Sequence, residues 1–115
     1  MPNPDLPDFA EAVLAAVDQI PAGRVVSYGD IAEYLGTGGP RQVGRVLALY
    51  GGAVSWWRVI RADGRPVAGL EDRALRRLEA EGLPIRNGRV DLRTARWWFG
   101  AAPDERSDSS EDHEI

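Results

Sequence analysis

The sequence predicts a mainly α domain of the α+β class, built as a winged helix. Two short helical patterns are joined by the glycine-rich connector Thr37-Gly-Gly39, a helix-turn-helix arrangement. Further along, Asn87-Gly88 lies between two short extended pieces, a strong signal for a two-residue hairpin. A hairpin placed after a helix-turn-helix is a wing. At 115 residues the chain has room for one such domain, predicted over 1–100, and a tail over 101–115.

The first helix opens at Pro7 or Asp8, after a frayed stretch over 1–6. Phe9, Val13, Ala16, Val17 and Ile20 recur at helical spacing, and Asp8 and Glu11 suit the positive end of the helix dipole. Pro21-Ala-Gly23 stops it, and Arg24-Val-Val26 is extended. Ser27 and Asp30 then form a capping box for a second helix over 28–35, with Ile31, Ala32 and Leu35 inward and Gly36 at its end.

The third helix begins at Pro40, where the missing N–H costs nothing, and stops near Gly51, expected in the left-handed conformation. Val43, Val46, Leu47 and Tyr50 form its apolar face, and Arg41 and Arg45 share another face. Gly44 sits mid-helix, where glycine costs roughly 1 kcal/mol against alanine, so something is expected to approach the backbone there. Taken alone, this helix fits a surface pressed on nucleic acid and equally an ordinary amphipathic helix with solvated arginines.

Ala53 to Ile60 is apolar and aromatic, read as part strand and part buried loop, and Asp63-Gly64 as a turn. A fourth helix is predicted over 71–81, with Leu75 and Leu78 inward, Arg73, Arg76 and Arg77 solvated, and Gly82 as cap. Trp97, Trp98 and Phe99 are expected to close over the core.

Charge and composition narrow the chemistry. The net charge is −4, but Asp104, Glu105, Asp108, Glu111, Asp112 and Glu114 against Arg106 put −5 on residues 104–115. Residues 1–103 therefore carry +1. The tail, with few apolar residues, is expected to be disordered. All 14 cationic side chains are arginine, the residue suited to bidentate contacts with phosphate or a base edge. With no cysteine there is no disulfide, thiolate metal site or cysteine nucleophile. His113, the sole histidine, lies in the acidic stretch without partners for catalysis or metal binding. No apolar run reaches membrane-spanning length and no signal pattern opens the chain, so a cytoplasmic, cofactor-free, metal-free monomer away from membranes is expected.

Three segments point further. They are Ile20-Pro-Ala-Gly-Arg-Val-Val-Ser-Tyr-Gly-Asp-Ile-Ala32, Arg41-Gln-Val-Gly44 and Trp57-Arg-Val-Ile60. Together they resemble the C-terminal DNA-binding domain of the O6-alkylguanine-DNA alkyltransferases. That family shows Pro-x-Gly-x-Val-x-Ser-Tyr-Gly-x-Ile-Ala, then Arg-x-Val-Gly, then Pro-Cys-His-Arg-Val. The family's acceptor cysteine aligns with Trp56, the mark of its alkyltransferase-like branch. Ser55 and Trp57 replace the flanking Pro and His, and the loop before Trp56 is shorter and lacks the family's Asn-Pro.

The resemblance implies a non-enzymatic protein that binds double-stranded DNA carrying O6-alkylguanine, flips the base out and passes the lesion to nucleotide excision repair. Carried over by position, Arg41 replaces the flipped nucleotide in the stack, and Tyr28 rotates the 3′ phosphate. Ser27 contacts phosphate. The third helix enters the minor groove through Gln42, Gly44, Arg45 and Ala48. The lesion pocket would comprise Tyr28, Trp56 and Arg61, with Trp56 as its floor and Arg65 nearby. Because neighbours on a strand alternate, Trp57 is expected in the core. Arg58 and Val59 are expected to be structural, and Arg65, Arg86 and Arg89 solvated unless a wing arginine touches phosphate. Two rival readings stay open: a winged-helix DNA-binding protein without lesion preference, and a protein-interaction module.

Overall fold

A computed structural model describes residues 8–100, so the frayed start and the acidic tail predicted from sequence lie outside the described residues. The elements follow in the order α1 (Asp8–Gln19), β1 (Val26–Ser27), α2 (Tyr28–Leu35), α3 (Pro40–Tyr50), β2 (Val59–Ile60), α4 (Glu71–Ala80), β3 (Ile85–Arg86), β4 (Arg89–Val90) and α5 (Leu92–Ala95).

The two central strands are short, yet they divide the interior. β1 and β2 pair in parallel, Val26 with Val59 and Ser27 with Ile60. Successive side chains on an extended strand point to opposite faces. Accordingly Val26 and Val59 join one core, with Val13, Val17 and Ile20 of α1, Ile31 of α2 and Val43 of α3. Val25 and Ile60 join another, with Leu78 of α4, Val90 of β4 and Ala95 of α5. Residues 96–97 run beside β1, through Val25 N–H to Ala95 O at 3.0 Å and Trp97 N–H to Val25 O at 2.8 Å.

The helix boundaries follow the sequence signals. Ser27 Oγ accepts from Asp30 N–H and Asp30 Oδ2 accepts from Ser27 N–H, both at 3.0 Å, so the capping box is complete. Gly36 is left-handed and closes α2 on Ala32 O and Glu33 O. Asn87 (φ 56°) and Gly88 (φ 73°) are both left-handed, as a primed two-residue turn requires.

Four expectations need correction. Gly51 has φ −74°, not a left-handed value, because the chain continues from α3 into a 3-10 turn over Gly51–Ala53. Trp56–Arg58 is a second 3-10 turn and only Val59–Ile60 is strand, so the alternation used to separate Trp56 from Trp57 does not apply, although Trp57 does pack on the second core. Both rings are half-buried and meet edge to face at 5.8 Å. On α4 the fully buried pair is Ala74 and Leu78; Leu75 is only half-buried. At the domain's end, Phe99 stacks on Tyr34 at 4.3 Å and Trp97 packs on the first core, but Trp98 is 45% exposed with Arg96 over its ring.

Two carboxylates join these parts. Asp30 takes a bidentate pair from Arg96 at 2.8 and 2.9 Å while still capping α2. Glu81, just past α4, accepts from Gly23 N–H at 2.9 Å, Trp57 Nε1–H at 2.8 Å and Arg58 Nη2–H at 2.7 Å. Burial alone would raise the Glu81 carboxyl, but hydrogen bonds from Arg58, Gly23 and Trp57 outweigh it and hold it below the ordinary value. A carboxyl depressed in the folded state stabilises fully above its unfolded value, and that contribution is lost as pH falls through the folded value. Urea unfolding from about pH 7 down to about pH 3 should therefore show Glu81→Gln less stable at neutral pH, with the gap to wild type closing on acidification. A constant gap would contradict this role.

Gly64 fixes a second junction. It has φ +88°, and a Cβ there would press on the Val90 carbonyl oxygen. Its own carbonyl accepts Val90 N–H at 2.8 Å. Gly69 has a similar φ of +91° but open space around it. Gly64→Ala should cost more than about 2 kcal/mol and Gly69→Ala only about 1 kcal/mol in chemical denaturation.

Candidate nucleic-acid interface

The helix-turn-helix sets its two helices through a close approach. Gly38 is left-handed, and a Cβ on it would strike the Phe9 ring of α1. That absence of a side chain lets α1 seat the turn and aims the start of α3 outward. Gln42 Oε1 accepts Gly39 N–H at 2.9 Å, so this side chain caps its own helix and keeps its amide N–H groups as donors. Arg41, Gln42 and Arg45 line a shallow, exposed patch on the outer face of α3.

Where α2 and α3 begin, a groove of about 710 Å³ opens, lined by Ser27, Tyr28, Arg41, Gly44 and Arg61 with Val67 and Ala68. Five of the residues singled out from sequence thus meet in one place. Ser27 is 5% exposed; its Oγ accepts the capping bond, which leaves the O–H to donate. Burial raises the Tyr28 hydroxyl above its ordinary value, and the Arg61 charge works against that rise. Tyr28 is therefore a neutral phenol at physiological pH, able to donate as well as accept.

Gly44 is bare for no internal reason. A Cβ there would lie 3.8 Å from the Tyr28 ring, an ordinary contact. The fold could hold alanine, and Gly44 leaves its stretch of α3 bare along the Tyr28 groove.

Trp56 is not in that groove. It lies in a neighbouring one of about 510 Å³, one turn further along α3, with Leu47, Ala48, Leu70 and Arg73. Of the expected pocket residues, Tyr28 and Arg61 line one groove, and Trp56 lines its neighbour together with Ala48. Arg65 belongs to neither and faces the hairpin with Arg86 and Arg89.

Three side chains escaped the sequence reading. The Arg73 guanidinium sits 6.0 Å from the centre of the Trp56 ring and Arg77 sits 4.3 Å from that of Trp57. These α4 arginines are exposed but oriented by the indoles, a contact helical spacing does not reveal. Glu81 is the third. Its bond to the Trp57 indole N–H, with Arg58 on the same carboxylate, fixes the turn that presents Trp56.

The geometry therefore offers a cationic helix end, a bare stretch of helix, a neutral phenol and an aromatic groove. Comparison with known proteins agrees. Residues 8–83 match the family described as 6-O-methylguanine DNA methyltransferase, DNA binding domain. A DNA base-flipping protein of Vibrio parahaemolyticus is 37% identical over 95 residues, covering 77% of this chain and 95% of the relative. Alkyltransferase-like protein 1 of Schizosaccharomyces pombe is 40% identical over 85 residues, covering 68% of this chain and 79% of the relative. The S. pombe protein in complex with damaged DNA containing O6-carboxymethylguanine superposes with a TM-score of 0.71 at 33% identity, covering 78% of this chain and 94% of that one. With tryptophan at the acceptor position and this fold around it, the chain belongs to the alkyltransferase-like branch of the O6-alkylguanine-DNA alkyltransferase family.

Proposed function

We propose that this protein is a non-enzymatic sensor of O6-alkylguanine in double-stranded DNA. It flips the damaged base and marks the site for nucleotide excision repair. The observation that carries the reading is Trp56: an indole stands where the family's reactive thiolate would be, on a scaffold similar to one solved with damaged DNA. An indole cannot accept an alkyl group as a thiolate does, but it offers a flat apolar face to a base.

The two grooves divide the work. Arg41 enters the duplex at the start of α3 and stands in for the extruded nucleotide. Flipping costs a few kcal/mol, and a planar cation recovers part of it by stacking and hydrogen bonding. Tyr28, with Arg61 beside it and Ser27 behind, handles the neighbouring phosphate. Gln42 and Arg45 flank the minor groove while Gly44 and Ala48 let the helix approach the sugar edge. The flipped base rests on Trp56, one helical turn away, with Arg73 near the same ring. Arg61 therefore serves the phosphate side, and Trp56 the base.

The test is equilibrium binding to two otherwise identical duplexes, one with O6-methylguanine and one with guanine, at one moderate salt concentration. Wild type should prefer the lesion, and Arg41→Ala should lose about 5- to 100-fold in affinity for it, the equivalent of about 1–3 kcal/mol. Equal wild-type affinity for both duplexes would leave a winged-helix DNA-binding protein with no lesion preference. Binding to neither would return the protein-interaction reading.

Gly44 supplies an independent check. Gly44→Ala should stabilise the fold by about 0.5–1 kcal/mol in urea, since alanine is the better helix former and the site has room. The same change should weaken binding to both duplexes. Stabilisation with unchanged binding would show that the helix does not approach DNA at this point.

A further inference from the structure

We propose that the β3–β4 hairpin and the loop after β2 form a second phosphate-contacting surface, which carries the DNA footprint beyond the helix-turn-helix. The proposal rests on the DNA-binding reading above.

The first observation is an unfavourable pairing. Arg86 and Arg89 are register partners across the two-residue hairpin, so both side chains leave the same face. Like charges directly opposite on paired strands are destabilising. Both residues are exposed, and neither forms an ion pair among the described residues. Four residues of hairpin thus hold two guanidinium groups together, neither of them in an ion pair among the described residues.

The second observation is the groove they border, of about 760 Å³, which Arg65 and Arg93 also line. Asp91 is the one carboxylate on that lining among the described residues, and it accepts the Arg93 backbone N–H at 3.0 Å. Nearby, Asp63 is held below its ordinary value first by the Arg65 N–H, with the charges of Arg61, Arg65 and Arg89 adding to the effect. Cations outnumber carboxylates throughout this region.

The third observation is continuity. Arg61 lines the Tyr28 groove and Arg65 lines the hairpin groove. The two are tied by Arg61 N–H to Arg65 O at 2.8 Å, and the loop is fastened to the hairpin by Val90 N–H to Gly64 O at 2.8 Å. The helix-turn-helix surface and the hairpin surface are therefore held at a fixed offset, with arginines along the whole path. A DNA strand presents a row of phosphates to such a path, and the planar guanidinium binds phosphate bidentately. The contact carries no sequence information and serves to hold the duplex in register. The acidic residues 104–115 are the competing occupant. Continuity with the α3 surface favours DNA.

The test uses the full chain. Wild type, Arg86→Ala/Arg89→Ala, the single Arg86→Ala and the α4 control Arg76→Ala are titrated with both duplexes across a salt series. The double variant should lower the magnitude of the slope of log K against log salt by about 1.8, and the single variant by about half of that. Both should lose affinity equally for lesion and intact duplex, so lesion preference survives. The thermal midpoint should hold or rise as the like-charge pair is removed, and Arg76→Ala should leave the slope unchanged. An unchanged slope in the double variant would overturn the proposal. Tighter DNA binding by the double variant would also overturn it and assign the arginines to the acidic stretch. Equal wild-type binding to both duplexes would sink the lesion reading alone, because the slope comparison still decides this one. Absence of any wild-type DNA binding would overturn both.

Discussion

The Glu81 carboxylate is the constraint on which the candidate site depends. It gathers N–H groups from Gly23 in the turn after α1 and from Trp57 and Arg58 of the Trp56–Arg58 turn, and Arg58 also donates to Ile20 O at 2.8 Å. Those segments are distant in sequence, and the strands between them are only two residues long. A parallel pair of that length has few ladder bonds and cannot hold a register by itself. The burial of Val26, Val59, Val25 and Ile60 supplies the rest, but apolar contact is non-directional. It would tolerate rotation of the Trp56 turn. The directional bonds to Glu81 remove that freedom, so an acidic residue at the end of α4 sets the orientation of an indole it never touches through a hydrogen bond.

Asp30 does the equivalent for the other groove. One carboxylate both closes the capping box at the start of α2 and receives Arg96 from the chain's far end. Arg24 meanwhile donates to Ala95 O and Arg96 O. Tyr28, the first residue of α2, is therefore held from behind by two local bonds and one long-range ion pair. A charge that is only partly buried gains little as an isolated pair. Here the carboxylate is satisfied by backbone N–H groups and a fork of guanidinium donors together, which gives geometry more than energy. Both walls of the candidate interface are thus oriented by carboxylates that face the protein, while the arginines that face outward are left without partners of similar quality.

How much of this could be read from the residues depends on the distance over which each constraint acts. The capping box, the end of α2 at Gly36, the Asn87-Gly88 turn and the apolar stripes of α1 and α3 are local, and the sequence pattern stated them correctly. Gly44 and Arg41 could be placed on the right helix for the same reason. The Trp56 segment could not. A run of aromatic and β-branched residues suggests a strand, but the ends of this one are fixed by Glu81, more than 20 residues away, and by α3 running on into a 3-10 turn at Gly51. Strand alternation is the wrong reason for separating Trp56 from Trp57, although Trp57 does pack on the second core while Trp56 joins neither. That Tyr28 and Trp56 line neighbouring grooves was not legible for a related cause: sequence places residues on elements, but the gap between elements decides which groove they line. Arg73 and Arg77 were assigned to solvent because helical periodicity marks them as outer, and nothing in a 3.6-residue repeat shows that two indoles lie beneath them.

The places where local rules are broken without internal compensation cluster on one side of the molecule's chemistry. Gly44 weakens a helix that has room for alanine. Arg86 and Arg89 face each other across a hairpin. Trp56 keeps its ring half-exposed instead of joining either core. Local consistency is what makes a sequence fold, and departures from it persist where something outside the fold supplies the missing term. A bare backbone, a positive pair without an ion-paired carboxylate among the described residues and an open aromatic face each lack a different thing: a surface to approach, an anion in contact and a flat apolar partner. Double-stranded DNA with one base turned outward supplies all three, through its sugar edge, its phosphates and the face of the extruded base. A purely structural reading must explain each defect separately, and a protein partner would have to present the same three features at the same offsets.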